Sequence, residues 1–238
     1  DFLFYDEEVS TAFEVGLKGS LLNNTLRYNL AVFHQIYDDH IIRQTDPNAP
    51  ELSTISTLYT LFFVNAEEVV TQGFELDVAY LLGDRWSLDF RSAYFDARVE
   101  EWQQRLCAVG FDAPQPGGIC PAEPGAELVP LPKWNTNTQI SYFNELGNGW
   151  GVLANLSWSW RASAAQNSNV TSRYNDAQNF INLTAAFSKD ALSVTLWGKN
   201  LTDEEYREWG IDFGSLGFAG NTFGTPRTYG VDVIYEYR

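Results

Sequence analysis

Apolar and polar residues alternate with a period of two along most of this chain. The pattern is clearest near the C-terminus, where aromatic and aliphatic residues hold every second position: Tyr229, Val231, Val233, Tyr235 and Tyr237. Because successive side chains of a strand point to opposite faces, this pattern predicts a strand with one apolar face. Strands that separate lipid from water have this pattern.

The same alternation predicts nine strands. We place them at residues 9–21, 26–36, a third stretch ending in 73–80, then 86–94, 134–143, 150–160, 181–188, 192–196 and 228–237. In the fourth strand Trp86, Leu88 and Phe90 alternate with polar residues. We expect these three side chains to face lipid.

The connections between the strands alternate between short and long. Tight turns are predicted at 23–24, 83–84, 146–149 and 189–190, and long connections at 44–60, 100–133, after 160 and at 203–223. This asymmetry is typical of a transmembrane β-barrel, which has short turns at one end and large loops at the other. A soluble β-sandwich or lectin also alternates apolar and polar residues, but its two ends seldom differ so regularly.

Composition agrees with an all-β protein that has a large apolar surface. Of the 238 residues, 15% are aromatic and 19% are charged. No apolar run approaches the roughly 20 residues of a membrane-spanning helix. The net charge of −16 argues against nucleic acid as a partner, because phosphates are neutralised by Lys and Arg.

The odd number of predicted strands indicates that they form part of the wall of a larger barrel. Single-chain bacterial barrels contain an even number of strands. An open sheet in lipid would leave two unpaired edges, where each lost backbone hydrogen bond costs several kcal/mol. The chain also begins at Asp1, without an initiator Met or a signal peptide. We therefore expect a processed or partial chain whose edge strands pair with strands outside this sequence.

Three sequence patterns resemble those of TonB-dependent outer-membrane receptors. The first is Gly198-Lys-Asn-Leu-Thr-Asp-Glu-Glu-Tyr206 followed by Gly224-Thr-Pro-Arg-Thr-Tyr-Gly230, which is similar to the family's C-terminal strand end and closing strand. The second is Glu14-Val-Gly-Leu-Lys18, and the third is Asn65-Ala66 with Gly73-Phe-Glu75. They occur in the family's order and cover nearly the whole chain.

The resemblance implies an all-β fold, an antiparallel transmembrane β-barrel of twenty-two strands whose lumen is plugged. Residues 1–238 would be the C-terminal portion of the barrel domain, about nine strands without the plug domain, the TonB box or the earlier strands. One residue departs from the pattern, because such barrels usually end on an aromatic residue and Arg238 follows Tyr237.

The function that the resemblance implies is active transport across the cell outer membrane of a Gram-negative bacterium. Such a receptor binds a scarce, bulky nutrient on its extracellular loops and imports it with energy from the TonB complex, which it contacts through the plug. Siderophore, cobalamin, oligosaccharide and peptide ligands all fit. Outer-membrane lipid and lipopolysaccharide would surround the wall, and neither a cofactor nor an enzymatic reaction is expected. The alternative is a passive porin, or a surface barrel that serves as an adhesin or phage receptor.

Two predicted loops carry candidate ligand-binding residues. Aromatic rings bind sugars and ring systems, and carboxylates bind cations. The candidates are Trp102, Phe111, Tyr206, Trp209, Asp212, Phe213 and Phe218. The alternative is an ordinary packed surface loop whose acidic residues are solvated.

Cysteine and histidine complete the candidate chemistry. Cys107 and Cys120 share one Pro- and Gly-rich loop, which predicts a local disulfide in an oxidising compartment; two free thiols are the alternative. His34 and His40 match no metal-ligand spacing. We expect a polar rim there, and neither a metal site nor a catalytic site.

Overall fold

All the regular structure in the described part of the chain is β-strand. The structure is a computed structural model, and it describes residues 6–45, 61–101, 105–106, 119–120, 126–127, 131–165, 174–213 and 218–237. The strands are β1 (Val9–Leu21), β2 (Leu26–Thr45), β3 (Leu61–Leu82), β4 (Trp86–Glu101), β5 (Arg105–Leu106), β6 (Ile119–Cys120), β7 (Ala126–Glu127), β8 (Trp134–Glu145), β9 (Gly151–Arg161), β10 (Ala164–Ala165), β11 (Tyr174–Asn175), β12 (Gln178–Lys189), β13 (Leu192–Lys199), β14 (Arg207–Phe213), β15 (Phe218–Phe223) and β16 (Thr228–Tyr235). Among these residues no helix is long and apolar enough to cross a membrane.

Nine long strands form one antiparallel sheet. Their order is β1-β2-β3-β4-β8-β9-β12-β13-β16. The short strand β7 pairs with β4 at Arg98 and Val99. Three short ladders lie outside this path: β5 with β6, β10 with β11, and β14 with β15. Each long strand pairs with the next one along the chain, so the sheet is a meander of hairpins.

The nine predicted strands are confirmed, although several are longer than the alternation indicated. β2 extends to Thr45 and β4 to Glu101 because both keep pairing with β3, at Leu61 and Glu68 respectively. Trp150, predicted to begin the sixth strand, lies just before β9. The predicted loop 203–223 is wrong in part, because most of it forms the β14–β15 hairpin. Its aromatic residues favour strand once the two segments can pair.

Left-handed backbone conformations close the tight turns. The positive φ values are 51° at Leu22, 55° at Asn23, 68° at Asn24, 67° at Gly83, 82° at Gly149 and 48° at Asp190. Gly, Asn and Asp adopt this conformation readily, so the predicted Asn-Asn turn is confirmed. Leu22 is the unexpected residue. Its carbonyl accepts from both the backbone N–H and the Oγ1 of Thr25, at 3.2 and 2.7 Å, which holds the turn closed.

The strand register joins the apolar positions into continuous rows on one face, the apolar face. One row crosses all nine strands: Leu21, Leu26, Tyr80, Leu88, Ile140, Leu156, Leu183, Gly198 and Tyr229. A neighbouring row on the opposite, polar face contains Ser20, Arg27, Ala79, Asp89, Gln139, Ser157 and Asn182. The period-two pattern of the sequence therefore becomes a two-sided wall.

Aromatic pairs bracket the apolar face of β4 and β8. The ring centroids of Trp86 and Tyr142 lie 4.6 Å apart near the tight turns. Those of Tyr94 and Trp134 lie 5.0 Å apart near the long connections. The eight-residue step from Trp86 to Tyr94 spans about 26 Å along a strand. With a strand tilt of about 35–45° the step is about 18–22 Å tall, somewhat less than the apolar band of an outer-membrane barrel, which is about 25 Å tall between two aromatic girdles. That Trp86, Leu88 and Phe90 contact lipid stays a prediction.

The sheet is a single layer with little core of its own. Among the described residues, the buried apolar side chains are Val69, Ala97 and Val99. The apolar face is open, with Val15 78% exposed and Val233 66% exposed. In a soluble sandwich a second sheet would cover this face. The two edges, β1 and β16, are not paired with each other, so the sheet is not closed.

Candidate functional site at the loop end of the sheet

The two ends of the nine-stranded sheet differ in their connections. We call the end with the four tight turns the turn end, and the end from which the long connections leave the loop end. The candidate ligand residues that the structure describes, Tyr206, Trp209, Asp212, Phe213 and Phe218, all lie at or beyond the loop end, after β13 and before β16. The loop end is therefore the candidate functional site.

Four of these candidates lie on one hairpin. Trp209, Asp212 and Phe213 are in β14 and Phe218 is in β15. Antiparallel pairing brings Phe213 opposite Phe218 and Asp212 opposite Ala219. We call the two strands, Arg207–Phe213 and Phe218–Phe223, the outer hairpin. A role of these residues in ligand binding stays a prediction.

Tyr206 lies at the base of the outer hairpin and has a packing role. Its ring meets that of Phe180 edge-on, with centroids 4.7 Å apart and an interplanar angle of 77°. Its carbonyl accepts from the N–H of Gly224 at 2.9 Å. A Cβ at Gly224 would overlap the Tyr206 ring. These contacts favour the packed-loop alternative for this residue.

The candidates of the longest connection are only partly described. Trp102, Phe111 and Cys107 lie outside the described residues. Cys120 lies in β6, where it pairs with Arg105 of β5. The Cys107–Cys120 disulfide therefore stays a prediction.

Asn200 forms the corner between β13 and the outer hairpin. It is 6% exposed and has a φ of 49°. Its Nδ2 donates to the carbonyls of Glu204 and Thr225, at 2.9 and 3.1 Å. Its Oδ1 accepts from the N–H of Glu204 at 2.9 Å, and Oγ1 of Thr202 lies 3.2 Å from it. The amide thus uses both of its donors, and its oxygen accepts from the backbone.

The two halves of the C-terminal sequence pattern meet in space around this corner. Asp203 accepts from the backbone N–H of Arg227 at 3.1 Å and pairs with its guanidinium at 3.2 Å. A Cβ at Gly230 would overlap the Trp197 ring, so this glycine permits close packing of β13 and β16. Residues that are separate in the sequence pattern are therefore contact partners.

The Asn200 corner is the first of three side-chain anchors at the loop end. A second anchor holds the chain where it enters β8. The side chain of Asp96 is 3% exposed, and its carboxylate lies 2.8 Å from Nε of Arg98 and 3.1 Å from Nζ of Lys133. Both contacts pair the buried carboxylate with a cationic side chain. The carbonyl of Lys133 also accepts from the N–H of Phe95 at 2.8 Å. One buried carboxylate thus ties the return of the longest connection to β4.

A third anchor fastens the segment before β1. Asn65 accepts from the N–H of Asp6 at 2.9 Å and donates to the carbonyls of Asp6 and Asp39, at 3.1 and 2.6 Å. The carboxylate of Glu8 accepts from the N–H of Ile41 at 3.0 Å and lies 2.7 Å from Nδ1 of His40. The bond from Ile41 lowers the pKa of Glu8 from its usual 4.5, partial burial opposes this, and His40 lowers it further.

These contacts give His40 a structural partner in Glu8. In the part of the chain that the structure describes, no three His, Cys, Asp or Glu side chains are grouped to hold a metal ion. The arrangement at the loop end supports shape and hydrogen bonding.

Sequence reasoning missed the three anchors as anchors. In the sequence Asn65 and Asn200 are marked only as members of patterns that resemble the family's. No sequence pattern marks Asp96. An anchoring Asn or Asp is recognised from partners that converge on it, and several of those partners are distant in the sequence. Asn in a short Gly-x-Asn pattern after a strand was the available signal, because Asn accepts positive φ.

Comparison with known proteins agrees with this architecture. A family model described as TonB dependent receptor-like, beta-barrel matches residues 4–201. No curated protein sequence matches the chain significantly.

Solved structures share the fold at low sequence identity. The ferric yersiniabactin uptake receptor FyuA from Yersinia pestis has 15% identity and a TM-score of 0.67, over 97% of this chain and 30% of its own. The ferripyoverdine receptor of the outer membrane of Pseudomonas aeruginosa has 17% identity and a TM-score of 0.62, over 96% and 27%. The siderophore receptor PiuA from Acinetobacter baumannii has 18% identity and a TM-score of 0.65, over 96% and 28%. The chain thus spans less than a third of each of these receptors.

Proposed function

Because this chain belongs to the TonB dependent receptor-like β-barrel family, we propose that it forms part of the wall of an outer-membrane transport receptor. The receptor binds a scarce, bulky nutrient at the loop end and imports it with TonB-coupled energy. The observation that carries this proposal is the apolar row that crosses all nine strands from Leu21 to Tyr229. Such a face is stable against lipid, and all the long connections leave one end of it.

The ligand class we propose is a ferric siderophore. The support is the set of structural neighbours, which are described as receptors for ferric yersiniabactin, ferripyoverdine and other siderophores. Cobalamin and oligosaccharides fit the same architecture less specifically. The outer hairpin, with Trp209, Asp212, Phe213 and Phe218, is our candidate for part of the ligand surface, together with Trp102 and Phe111.

Residues 1–238 are, in this proposal, the C-terminal portion of a larger barrel of twenty-two strands. The open edges support it, because β1 and β16 expose unpaired backbone groups, and in lipid each such group costs several kcal/mol. β1 then pairs with an earlier strand, and β16 with the first strand of the barrel. The TonB complex acts through a plug domain, and lipid and lipopolysaccharide surround the wall.

A transport assay on the full-length gene product tests the function. A strain that lacks its own siderophore receptors and carries this gene is grown on iron-limited medium with ferripyoverdine or ferric yersiniabactin. We expect growth that requires both the gene and an intact TonB complex. Growth that persists without TonB would indicate a passive porin. Cell or phage attachment without uptake of either compound would indicate a surface adhesin.

A paired substitution tests the membrane placement in the same strain. Leu88→Arg puts a charge on the apolar face two residues inside the Trp86 girdle, at a cost of about 1–2 kcal/mol, between the values for the interface and the midplane, and should reduce the amount of assembled barrel in the outer-membrane fraction. Ser87→Arg puts the same charge on the polar face and should assemble normally. Equal assembly of the two variants would contradict the lipid-facing assignment.

A further inference from the structure

The outer hairpin leaves the wall at a corner built around Asn200. We propose that Asn200 is the positioning residue that fixes the direction of the outer hairpin, and thereby the presentation of the ligand surface. The inference rests on the proposed function for the second half of that statement. The first half concerns the fold alone and is testable without a ligand.

The first step is the binding of both hairpin legs by one side chain. Glu204 lies on the segment that leads into β14, and Thr225 lies on the segment that returns from β15. Nδ2 of Asn200 donates to the carbonyls of both, at 2.9 and 3.1 Å. A single amide therefore sets the separation of the legs at their base.

The second step is the attachment of this amide to the wall. The backbone N–H of Asn200 donates to Oδ1 of Asn182 in β12 at 2.8 Å. Oγ1 of Thr202 donates to the carbonyl of Asn179 at 2.7 Å, and the N–H of Leu201 to that of Ile181 at 2.8 Å. Because the corner is bonded to the neighbouring strand over three residues, its orientation follows that of the wall.

The third step is the length of the outer hairpin, because a small change of angle at its base moves its far end by a large distance. Within the described residues the two strands of the outer hairpin form their own ladder, separate from the nine-stranded sheet. A strand of seven residues is about 23 Å long. A tilt of about 10° at the base would move its far end by about 4 Å, more than the reach of a hydrogen bond. A ligand surface on this hairpin therefore depends on the corner.

Asparagine is the residue type that this corner requires. Its φ of 49° is one that Asn adopts more readily than most residues. Aspartate has nearly the same shape but no donor, so it would turn two attractive contacts into contacts between a carboxylate and carbonyl oxygens. Burial makes that exchange costly, because the charge has little access to water.

The test compares Asn200→Asp with Asn148→Asp in the full-length gene product, purified in detergent micelles. Asn148 lies in a turn-end connection, and its Oδ1 accepts from the N–H of Trp150 at 3.4 Å, a contact that Asp retains. Amide hydrogen exchange is measured by mass spectrometry for residues 207–213 and 218–223, with 192–197 in β13 as the internal reference. We expect exchange of the hairpin to rise at least tenfold in Asn200→Asp only, with the reference unchanged.

Unchanged exchange of the hairpin in Asn200→Asp would overturn the inference. If that variant does not assemble, Asn200→Gly carries the same test, because Gly fits the positive φ and adds no charge. Binding of ferripyoverdine and ferric yersiniabactin is measured in parallel, and we expect about a tenfold loss for whichever compound the parent binds. A parent that binds neither refutes the proposed ligand class and leaves the exchange result to decide the role of Asn200. Full binding by a variant whose hairpin has loosened would refute the link between the corner and the ligand surface.

Discussion

The turn end and the loop end of the same sheet are fastened by opposite means. At the turn end the described side-chain bonds are local, as in Thr25 donating to Leu22 three residues earlier, and the bonds between distant residues are backbone bonds that continue the strand ladder, such as Leu81 N–H to the Thr25 carbonyl. At the loop end the bonds join residues that are far apart in the chain: Asn65 and Asp6 are 59 residues apart, and Asn200 and Thr225 are 25 apart. Backbone conformation closes one end, and side-chain contacts between distant residues hold the other.

This difference has a physical reason. A tight turn needs only a few residues in left-handed conformations, so its geometry is set where the chain reverses. A long connection cannot set its own geometry, and the entropic cost of closing it grows only slowly with its length. Once the side chains at its base hold its two ends, the rest of the connection is free to differ. A sheet fastened in this way keeps its shape even where the sequence of its long connections changes.

The largest difference between the ends should come from removing one carboxylate charge at each. Asp96→Asn leaves Arg98 and Lys133 facing a neutral amide in a buried site, and we expect a loss of about 2–3 kcal/mol of unfolding free energy. Asp84→Asn makes the same change in an exposed turn and should cost less than about 0.5 kcal/mol. Urea unfolding of the full-length protein in micelles measures both. Equal losses would break the distinction between the ends.

The next comparison adds one methyl group at each end, where we expect losses of similar size that differ in their cause. Gly224→Ala would push the Tyr206 ring from its place against Phe180, and overpacking of this kind costs about 1–3 kcal/mol. Gly83→Ala meets no atom within 4 Å and suffers only from its φ of 67°, which costs about 1–2 kcal/mol. The same urea unfolding assay measures the loss of unfolding free energy in each variant.

A second substitution identifies the cause of the Gly224 effect. Tyr206→Leu removes the ring that the new methyl group would meet. Added to Gly224→Ala, it should recover part of the lost stability, whereas added to Gly83→Ala it should not. Losses that simply add in both double variants would mean that Gly224 acts through its backbone and not through the ring.

The contrast between the ends also explains what the sequence could predict. Nine strands, their two faces and the four turns follow from alternation and from residues such as Asn23, Asn24 and Gly83, which act where they stand. The loop end was described only as long connections, because its geometry depends on pairs such as Asn65–Asp6 that no local pattern connects. The outer hairpin was missed for the same reason, since its strands become visible only when Phe213 is known to lie opposite Phe218.

Family resemblance supplied part of what local reasoning could not. It marked Asn200, Asp203, Tyr206, Gly224 and Arg227 as members of one pattern without giving their roles. The structure turns the pattern into contacts: Asp203 with Arg227, Tyr206 with Gly224, and Asn200 with the carbonyl next to Gly224. Of these, Tyr206 is also a candidate ligand residue on the strength of its aromatic ring, and its contacts with Phe180 and Gly224 show that it packs without testing whether it also binds.

The smallest expected effect is a pH dependence that the loop end should have and the turn end should lack. Because the pKa of Glu8 is lowered in the folded chain, its bond with Ile41 contributes stability above its usual pKa of 4.5 and loses it as pH falls through the folded value. Because Glu8 and its partner His40 are partly exposed, we expect this contribution to the free energy of unfolding to be less than about 1 kcal/mol. Exchange of the Ile41 amide, corrected for its intrinsic rate, should therefore rise between about pH 6 and pH 3. The Thr25 amide, which donates to a carbonyl, should show no such rise, and Glu8→Gln should abolish it at Ile41. A rise of the same size at Thr25, or at Ile41 in Glu8→Gln, would show that acid loosens the sheet as a whole and not this anchor.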